Sequence, residues 1–461
     1  MVRIFRHYIP KSLLLLGIFE VFILLLSLYI ASVLRFQEAD SINQHVNGGQ
    51  AIIYLFVMIS VMTAMGLYQR DVQEPFGNLT MRVGGSVLIG FGSMYFLFYL
   101  FPELFVDQLV IIAAGASSFL GLLGSRYLYF RYADQSFLKR RALVLGAGER
   151  ALKIERLMAA GKLDGINILG FVHISREPVE ISSGKVLGNC ALLSTLVDNH
   201  DIDEIIVAID DRRKAFPTEQ LLDIKMGGIE VVEDIAFWEK QTGKIEIDSL
   251  HPSHLIFADG YAQTVVKPVS KRVFDILVSS TILILALPIM IITALAIWLE
   301  SKCRGSIFYL QTRVGAGGRD FSIMKFRSMT ENAETDGAQW AVENDPRVTK
   351  VGRFIRKTRI DELPQLINVL RGNMSFVGPR PERPEFVDEL SKKIPYYSLR
   401  HGMKPGITGW AQVMFPYGAS EEDARQKLQY DLYYMKNYTV FLDLMIIFQT
   451  LQVVIWQKGG R

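Results

Sequence analysis

Apolar residues form long blocks at the start of this chain and short, regularly spaced blocks later. Four runs, Ser12–Leu34, Gln50–Tyr68, Val83–Phe101 and Val106–Phe130, each approach the length that crosses a bilayer. They predict a bundle of four transmembrane helices over residues 1–135. The first run is too long for a cleavable leader and lacks a small-residue cleavage site. Glu20, an acid inside it, is expected in the bundle interior or near one end. Cations set the direction. Arg3, Arg6 and Lys11 precede the first run, Arg70 and Arg82 flank the second connection, and Arg126, Arg131, Lys139, Arg140 and Arg141 mark the end of the fourth. The other connections carry Glu38, Asp40, Glu103 and Asp107, with Arg35 their only cation. Positive charge stays inside, so both ends of the bundle are expected to be cytoplasmic.

A fifth run, Phe274–Leu299, is also long enough to cross, but Lys271 and Arg272 stand before it and Lys302 and Arg304 after it. Pro288 removes a backbone hydrogen bond near its middle. Basic flanks at both ends favour a re-entrant helix over 274–299, broken at Pro288, that dips into the membrane and returns. Lys271 and Arg272 are then placed at lipid head groups. The last apolar stretch, Thr439–Trp456, is interrupted by Asp443, Gln449 and Gln452 and reads as an amphipathic helix.

Between these apolar segments, residues 136–266 alternate strand and helix patterns. Ala142–Leu145 is a buried strand leading into Gly146-Ala-Gly148 and a helix, and Ile168–Val172, Glu204–Ile209 and Gly228–Val232 read as further strands. This predicts a Rossmann-like α/β domain, whose glycine-rich turn is of the kind that receives phosphates. A dinucleotide reading is weakened because His173 stands where a ribose-binding acid is expected, and no Tyr-x-x-x-Lys pattern lies nearby. A structural or nucleotide-sensing regulatory module fits better. His251 and His254 have no companion ligands and read as loop.

Composition agrees with a membrane protein. Hydrophobic residues make up 50% of the 461 positions, and the net charge of +3 excludes a general nucleic-acid binder. Cys190 and Cys303 fit no metal spacing and are expected as reduced thiols.

The chemistry concentrates in residues 267–461. Asp361-Glu362 lies in Lys357-Thr-Arg-Ile-Asp-Glu-Leu-Pro-Gln365, with Arg356 and Arg359 before it and Arg380 and Arg383 after it. Adjacent carboxylates repel, so this pairing among arginines suits a divalent cation and phosphate groups. Phe321-Ser-Ile-Met-Lys-Phe-Arg-Ser-Met329 adds Lys325 and Arg327, and Gly378-Pro-Arg-Pro381 presents Arg380.

Taken in order, Lys-Arg-x-Phe-Asp275, the proline-broken helix, Lys-Phe-Arg-Ser-Met, Asp-Glu-Leu-Pro-Gln and Gly-Pro-Arg-Pro resemble the bacterial sugar transferases, the polyprenyl-phosphate hexose-1-phosphate transferases. The architecture resembles the large membrane members, the undecaprenyl-phosphate galactose or glucose phosphotransferases. The resemblance implies a mostly helical catalytic domain on the cytoplasmic face of the bacterial inner membrane. It implies a UDP-hexose and undecaprenyl phosphate as substrates, with UMP released, at the start of exopolysaccharide, capsule or O-antigen synthesis. It assigns Asp361 as nucleophile, Glu362 with Asp361 as ligands to Mg²⁺, and Arg380 to phosphate charge. Lys325, Arg327, Arg356, Arg359, Arg383 and Asp431 are the expected substrate contacts, membrane lipids the surroundings, and a homodimer the assembly. Arg359 replaces a small Ser or Thr common there in the family. Direct displacement, with Asp361 as base, stays open. Two other classes compete: a nucleotide-binding regulatory membrane protein with an inactive transferase domain, and a sugar-modifying Rossmann enzyme.

Overall fold

The computed structural model describes the chain apart from residues 1, 5–6, 37–45, 69–75, 133–138, 162, 164, 176, 212–215, 249, 251, 253–265, 303, 331–344, 416–417, 419 and 456–461. His251, His254 and Cys303 therefore lie outside the described residues. Met1–Ile4, Tyr8–Met62 and Leu67–Glu246 form one compact unit, and Phe5–His7, Thr63–Gly66 and Ile247–Arg461 form another. Two short strands, β1 (Val2–Ile4) and β2 (His7–Ile9), precede the first helix.

In the first unit, the apolar runs become α1 (Lys11–Phe36), α2 (Gly48–Ala64), α3 (Phe76–Leu100) and α4 (Gln108–Tyr132). Helices α1, α3 and α4 contain stretches long and apolar enough to cross a membrane, while the 17 residues of α2 stand at the short limit. They bury a shared cluster around Leu24, Tyr54, Met58, Val83, Val110 and Leu122. Phe22, Leu34, Phe56, Leu88 and Tyr99 lie exposed, an apolar surface suited to lipid rather than water.

Glu20 proves to face the interior. It is 0% exposed and paired with Arg126, itself 3% exposed. Arg126 Nε lies 2.7 Å from Glu20 Oε1, and Nη2 donates to Oε2 at 2.9 Å. Ser125 Oγ donates to the same carboxylate at 3.3 Å, and the guanidinium lies 5.1 Å from the Tyr68 ring centre. Arg126, expected as an orienting cation, is thus committed within the bundle, and Arg82 is also buried.

The same unit holds a five-stranded parallel sheet. Its strands are β3 (Arg140–Leu145), β4 (Ile166–His173), β5 (Val186–Asn189), β6 (Glu204–Val207) and β7 (Glu230–Glu233), in the order β5-β4-β3-β6-β7. Helices α5 (Glu149–Ala159), α6 (Leu193–His200), α7 (Thr218–Met226) and α8 (Asp234–Thr242) alternate with them. Two buried clusters, one around Val144 and Phe171 and one around Leu143 and Ile205, cover the sheet. Strand β5 was not expected from sequence. It is a four-residue edge strand with alternating half-buried and exposed positions, too short to stand out.

The second unit begins with α9 (Val266–Glu300), a 35-residue helix that continues past Pro288. The proline does not end the helix as the expected break would. A stripe at Leu283, Ala286, Met290, Ala294 and Ile297 packs on Phe326, Ile355 and Ile360, while Ile284, Leu285, Ile291 and Ile292 are exposed. Next come the antiparallel hairpin β8 (Phe308–Val314) and β9 (Asp320–Phe326), and then α10 (Lys350–Lys357) and α11 (Gln365–Arg371). A parallel pair, β10 (Ser375–Val377) and β11 (Gly406–Thr408), brackets α12 (Pro384–Lys393). The unit closes with α13 (Trp410–Met414), α14 (Glu421–Asn437) and α15 (Val440–Ile455). A capping box of Ser420 and Asp423 starts α14. In α15 the interrupting polar residues Asp443 and Gln452 point inward, and Leu444 and Leu451 are exposed.

The Glu20–Arg126 pair gives a test. Arg126→Leu strands a buried acid, and unfolding in detergent should cost about 3–5 kcal/mol of stability. Adding Glu20→Leu should restore much of that loss. If the two losses simply add, the pair is not coupled.

Candidate active site

Asp361 and Glu362 occupy a short 3-10 turn, Ile360–Glu362, between α10 and α11. Thr349 caps α10, its hydroxyl accepting from Gly352 N at 2.9 Å. The chain then reverses at Arg359, which takes a left-handed conformation with φ of 60°. A side chain with a Cβ adopts that region at some cost, so the turn stores strain next to the carboxylates.

Three cations converge on Glu362 Oε1. Arg380 Nη2 donates at 3.1 Å, Arg359 Nη1 lies at 3.6 Å, and Lys325 Nζ at 3.8 Å. Burial raises the Glu362 carboxyl, but Arg380, Lys325 and Arg359 outweigh it and hold it well below the usual carboxylate range. Asp361 is different. Burial, with the Glu362 charge beside it, pushes its carboxyl upward. Its Oδ1 is buried without a hydrogen-bond partner among the described residues. A buried carboxylate oxygen left unpaired is costly, and signals a missing partner. Oxygen donors from two adjacent carboxylates suit Mg²⁺, so these residues fit the cation that the sequence suggested.

Strands deliver the cations. Lys325 sits on β9, where burial pulls its amine down to about 8 against the attraction of Glu362. Arg380 follows β10, on a segment held backbone to backbone: Gly378 N donates to Thr408 O, and Gly406 N to Pro379 O, each at 2.9 Å. A Cβ on Gly406 would lie 2.1 Å from Gly378 N, so only glycine allows this approach.

The structure brings Asp361, Glu362, Lys325, Arg359 and Arg380 together. Arg356 adds to the positive field at Asp361, and Arg383 to that at Arg313. Arg327 donates to Arg304 O at 3.5 Å. Asp431 is behind the site rather than in it. It pairs with Arg400 at 2.8 Å, and Arg400 Nη2 donates to Arg380 O at 3.0 Å.

Lys271 and Arg272 are corrected from head-group anchors to internal ties. Lys271 Nζ meets Asp443 Oδ2 at 2.7 Å, and Arg272 donates to Val369 O and Leu370 O at 2.6 and 2.7 Å. The carbonyls that end α11 attract that guanidinium, as helix C-termini do.

Sequence reasoning gave no role to Arg313, Arg400 or Asp275. Arg313 lines a recess with Lys325, Gln365, Arg380 and Pro381. Gln311 Oε1 accepts from its Nε and Nη2 at 3.1 and 2.6 Å, and Pro381 O from its Nη1 at 3.2 Å. The signal was the alternation Gln311-Thr-Arg313, which puts both polar residues on one strand face. Asp275 accepts from Ser375 Oγ at 2.9 Å and from Phe376 N at 2.9 Å, fixing β10.

A family model described as bacterial sugar transferase matches residues 266–457, and a CoA-binding domain model matches residues 63–215. The chain is 47% identical over 223 residues to the UDP-N-acetylgalactosamine-undecaprenyl-phosphate N-acetylgalactosaminephosphotransferase of Aeromonas hydrophila, covering 48% of this chain and 52% of that protein. It is 30% identical over 340 residues to the undecaprenyl-phosphate galactose phosphotransferase of Salmonella typhimurium, covering 70% and 69%. With the UDP-glucose:undecaprenyl-phosphate glucose-1-phosphate transferase of Xanthomonas campestris, identity is 29% over 397 residues, covering 82% and 77%. Against the Aeromonas protein the chain spans about half the relative's length, 52%, and against the Klebsiella pneumoniae glucose-1-phosphate transferase 39%.

The Arg400–Asp431 brace is testable. Burial already pushes the Asp431 carboxyl up to about 6 against the pull of Arg400. Arg400→Leu leaves that acid unpaired, with a still higher value when folded, so the folded state gains stability as pH falls through it. The variant should lose more thermal stability relative to wild type at about pH 8 than at about pH 5. An equal loss at both would remove the brace.

Proposed function

We propose that this chain, which belongs to the bacterial sugar transferase family, moves a hexose-1-phosphate from a UDP-sugar to undecaprenyl phosphate. The observation that carries this reading is the asymmetric carboxylate pair: Glu362 neutralised by three cations, and Asp361 beside it with an oxygen that has no hydrogen-bond partner among the described residues. In the proposed reaction an Asp361 oxygen attacks the sugar-bearing phosphorus, and the bridging P–O bond breaks, releasing UMP. An oxygen of undecaprenyl phosphate then attacks the same phosphorus and frees Asp361. A covalent route lets two repelling anions visit in turn. Arg313, Lys325 and Arg380 line one recess and would offset the charge of the diphosphate. Asp361 and Glu362 would hold Mg²⁺, which when bound supplies Lewis-acid neutralisation of phosphate oxygens.

Support for a re-entrant placement comes from α9. Arg272 near its start ties to α11, and Glu300 at its end accepts from Lys350 N and Val351 N at 2.8 and 3.1 Å. A straight helix spans roughly 42 Å between those two residues, more than the ~30 Å hydrocarbon core. A crossing would set the two ties on opposite sides of the membrane, yet both belong to one unit. The reading places that unit on the cytoplasmic face of the bacterial inner membrane.

The test is intermediate trapping. Protein, Mg²⁺ and UDP-glucose, UDP-galactose or UDP-N-acetylgalactosamine are incubated without lipid and weighed intact. A sugar-phosphate adduct in wild type, absent from Asp361→Asn, is expected and names the sugar. UMP release only after undecaprenyl phosphate is added would replace the covalent route by direct displacement. Silence in both would overturn the reading. Because Asp361 must be ionised and its carboxyl is raised, adduct formation should slow on acidification at pH values above the ordinary carboxylate range. Arg380→Ala should lower the rate by about 10²–10³.

A further inference from the structure

The turn after β3 lies where the strand order reverses between β3 and β6, the crevice in which doubly wound sheets bind nucleotides. In such turns, backbone N–H groups at the head of the next helix receive a ligand phosphate. Here the chain's own acids take them. Asp210 Oδ2 accepts from Glu149 N at 2.8 Å, and Oδ1 from Arg150 N at 3.0 Å. Glu177 Oε2 accepts from Ala147 N at 3.1 Å, while its Oε1 accepts from Asp210 N at 2.9 Å.

The glycine serves these acids. A Cβ on Gly148 would lie 2.0 Å from Asp210 Oδ2 and 3.1 Å from Glu177 Oε1. The space a pyrophosphate needs for close backbone approach is the space the Asp210 carboxylate fills. The acid looked for at the end of β4 is also present, four residues late. His173 Nε2 pairs with Glu177 O at 3.0 Å, and the Glu177 side chain turns in to the glycine-rich loop. Glu180 N closes the same loop on Ala147 O at 2.8 Å.

We propose that this crevice is an anion site closed in cis, with Asp210 and Glu177 standing where the phosphates of a dinucleotide or of CoA would stand. The turn then joins β3, β6 and α5 as a structural clasp, and takes neither ligand. An incoming diphosphate meets two carboxylates, and the N–H groups of Ala147, Glu149 and Arg150 are already engaged. The proposal is independent of the transferase reading.

The full chain in detergent is titrated calorimetrically with NAD and with CoA, and its unfolding is followed with and without inorganic phosphate. Wild type should give no saturable heat with either cofactor, and phosphate should stabilise it no more than chloride at equal ionic strength. Asp210→Ala vacates the slot, so its unfolding midpoint should fall by several degrees, and phosphate should recover part of that loss where chloride does not. Saturable binding of NAD or CoA to wild type overturns the proposal. So does an Asp210→Ala midpoint that phosphate fails to move. If that variant does not fold, the wild-type titrations decide alone.

Discussion

Glu362 is a carboxylate taken mostly out of water, and the second unit is arranged around its neutralisation. A buried charge is tolerated only when opposite charge and hydrogen bonds replace its hydration. The replacements come from separate parts of the chain: Lys325 from a β-hairpin, Arg359 from a strained turn, and Arg380 from the segment after β10. None can leave without exposing the acid, so the charge balance ties these elements to one geometry. The same balance sets the character of Asp361. With the cations aimed at its neighbour, Asp361 keeps a desolvated oxygen and a raised carboxyl. A nucleophile needs that condition, since an oxygen already paired has less to give.

Each cation brings a further demand. Arg380 must be held, and Arg400 holds its carbonyl; Arg400 is buried, and Asp431 answers it. Lys271 and Asp443 do the same on the other side of β10, with Tyr434 OH donating to Asp443 Oδ1 at 2.6 Å and to Val377 O at 3.2 Å. Polar networks of this kind tie distant segments of a small domain to one geometry. They explain why a segment as apolar as α15 carries an acid in its first turn.

What could be read from sequence was periodicity and local charge. The long apolar runs located α1 to α4 and α9, and the alternating blocks located four of the five sheet strands. The start of α3 was placed seven residues late because Thr80, Met81 and Arg82 do not read as membrane, although Arg82 is buried in the structure. The acid pair and most of its cations were legible, since they lie in short dense motifs. Arg400, Asp275 and Arg313 were not. Their partners stand 31, 100 and 68 residues away, as with Asp431, Ser375 and Pro381, and only folding brings them together. Lys271 and Arg272 misled for the same reason: basic residues beside an apolar helix look like head-group anchors until their distant acceptors are known.

Two motifs show how far a pattern carries chemistry. Both bring a carboxylate into a crowded place. At Gly148 the acid finds backbone donors and is satisfied by them, which closes the crevice. At Ile360–Glu362 the turn gives Asp361 Oδ1 no donor among the described residues. The glycine-rich turn has the pattern of a ligand site in sequence and is saturated in structure. The Asp361-Glu362 turn has the pattern of a cation and phosphate site in sequence, and in structure it holds a buried oxygen with no hydrogen-bond partner among the described residues. What separates them is the count of hydrogen-bond partners each buried oxygen finds, a quantity set by the fold. A buried oxygen left short in that count gains by taking a substrate or cation as partner.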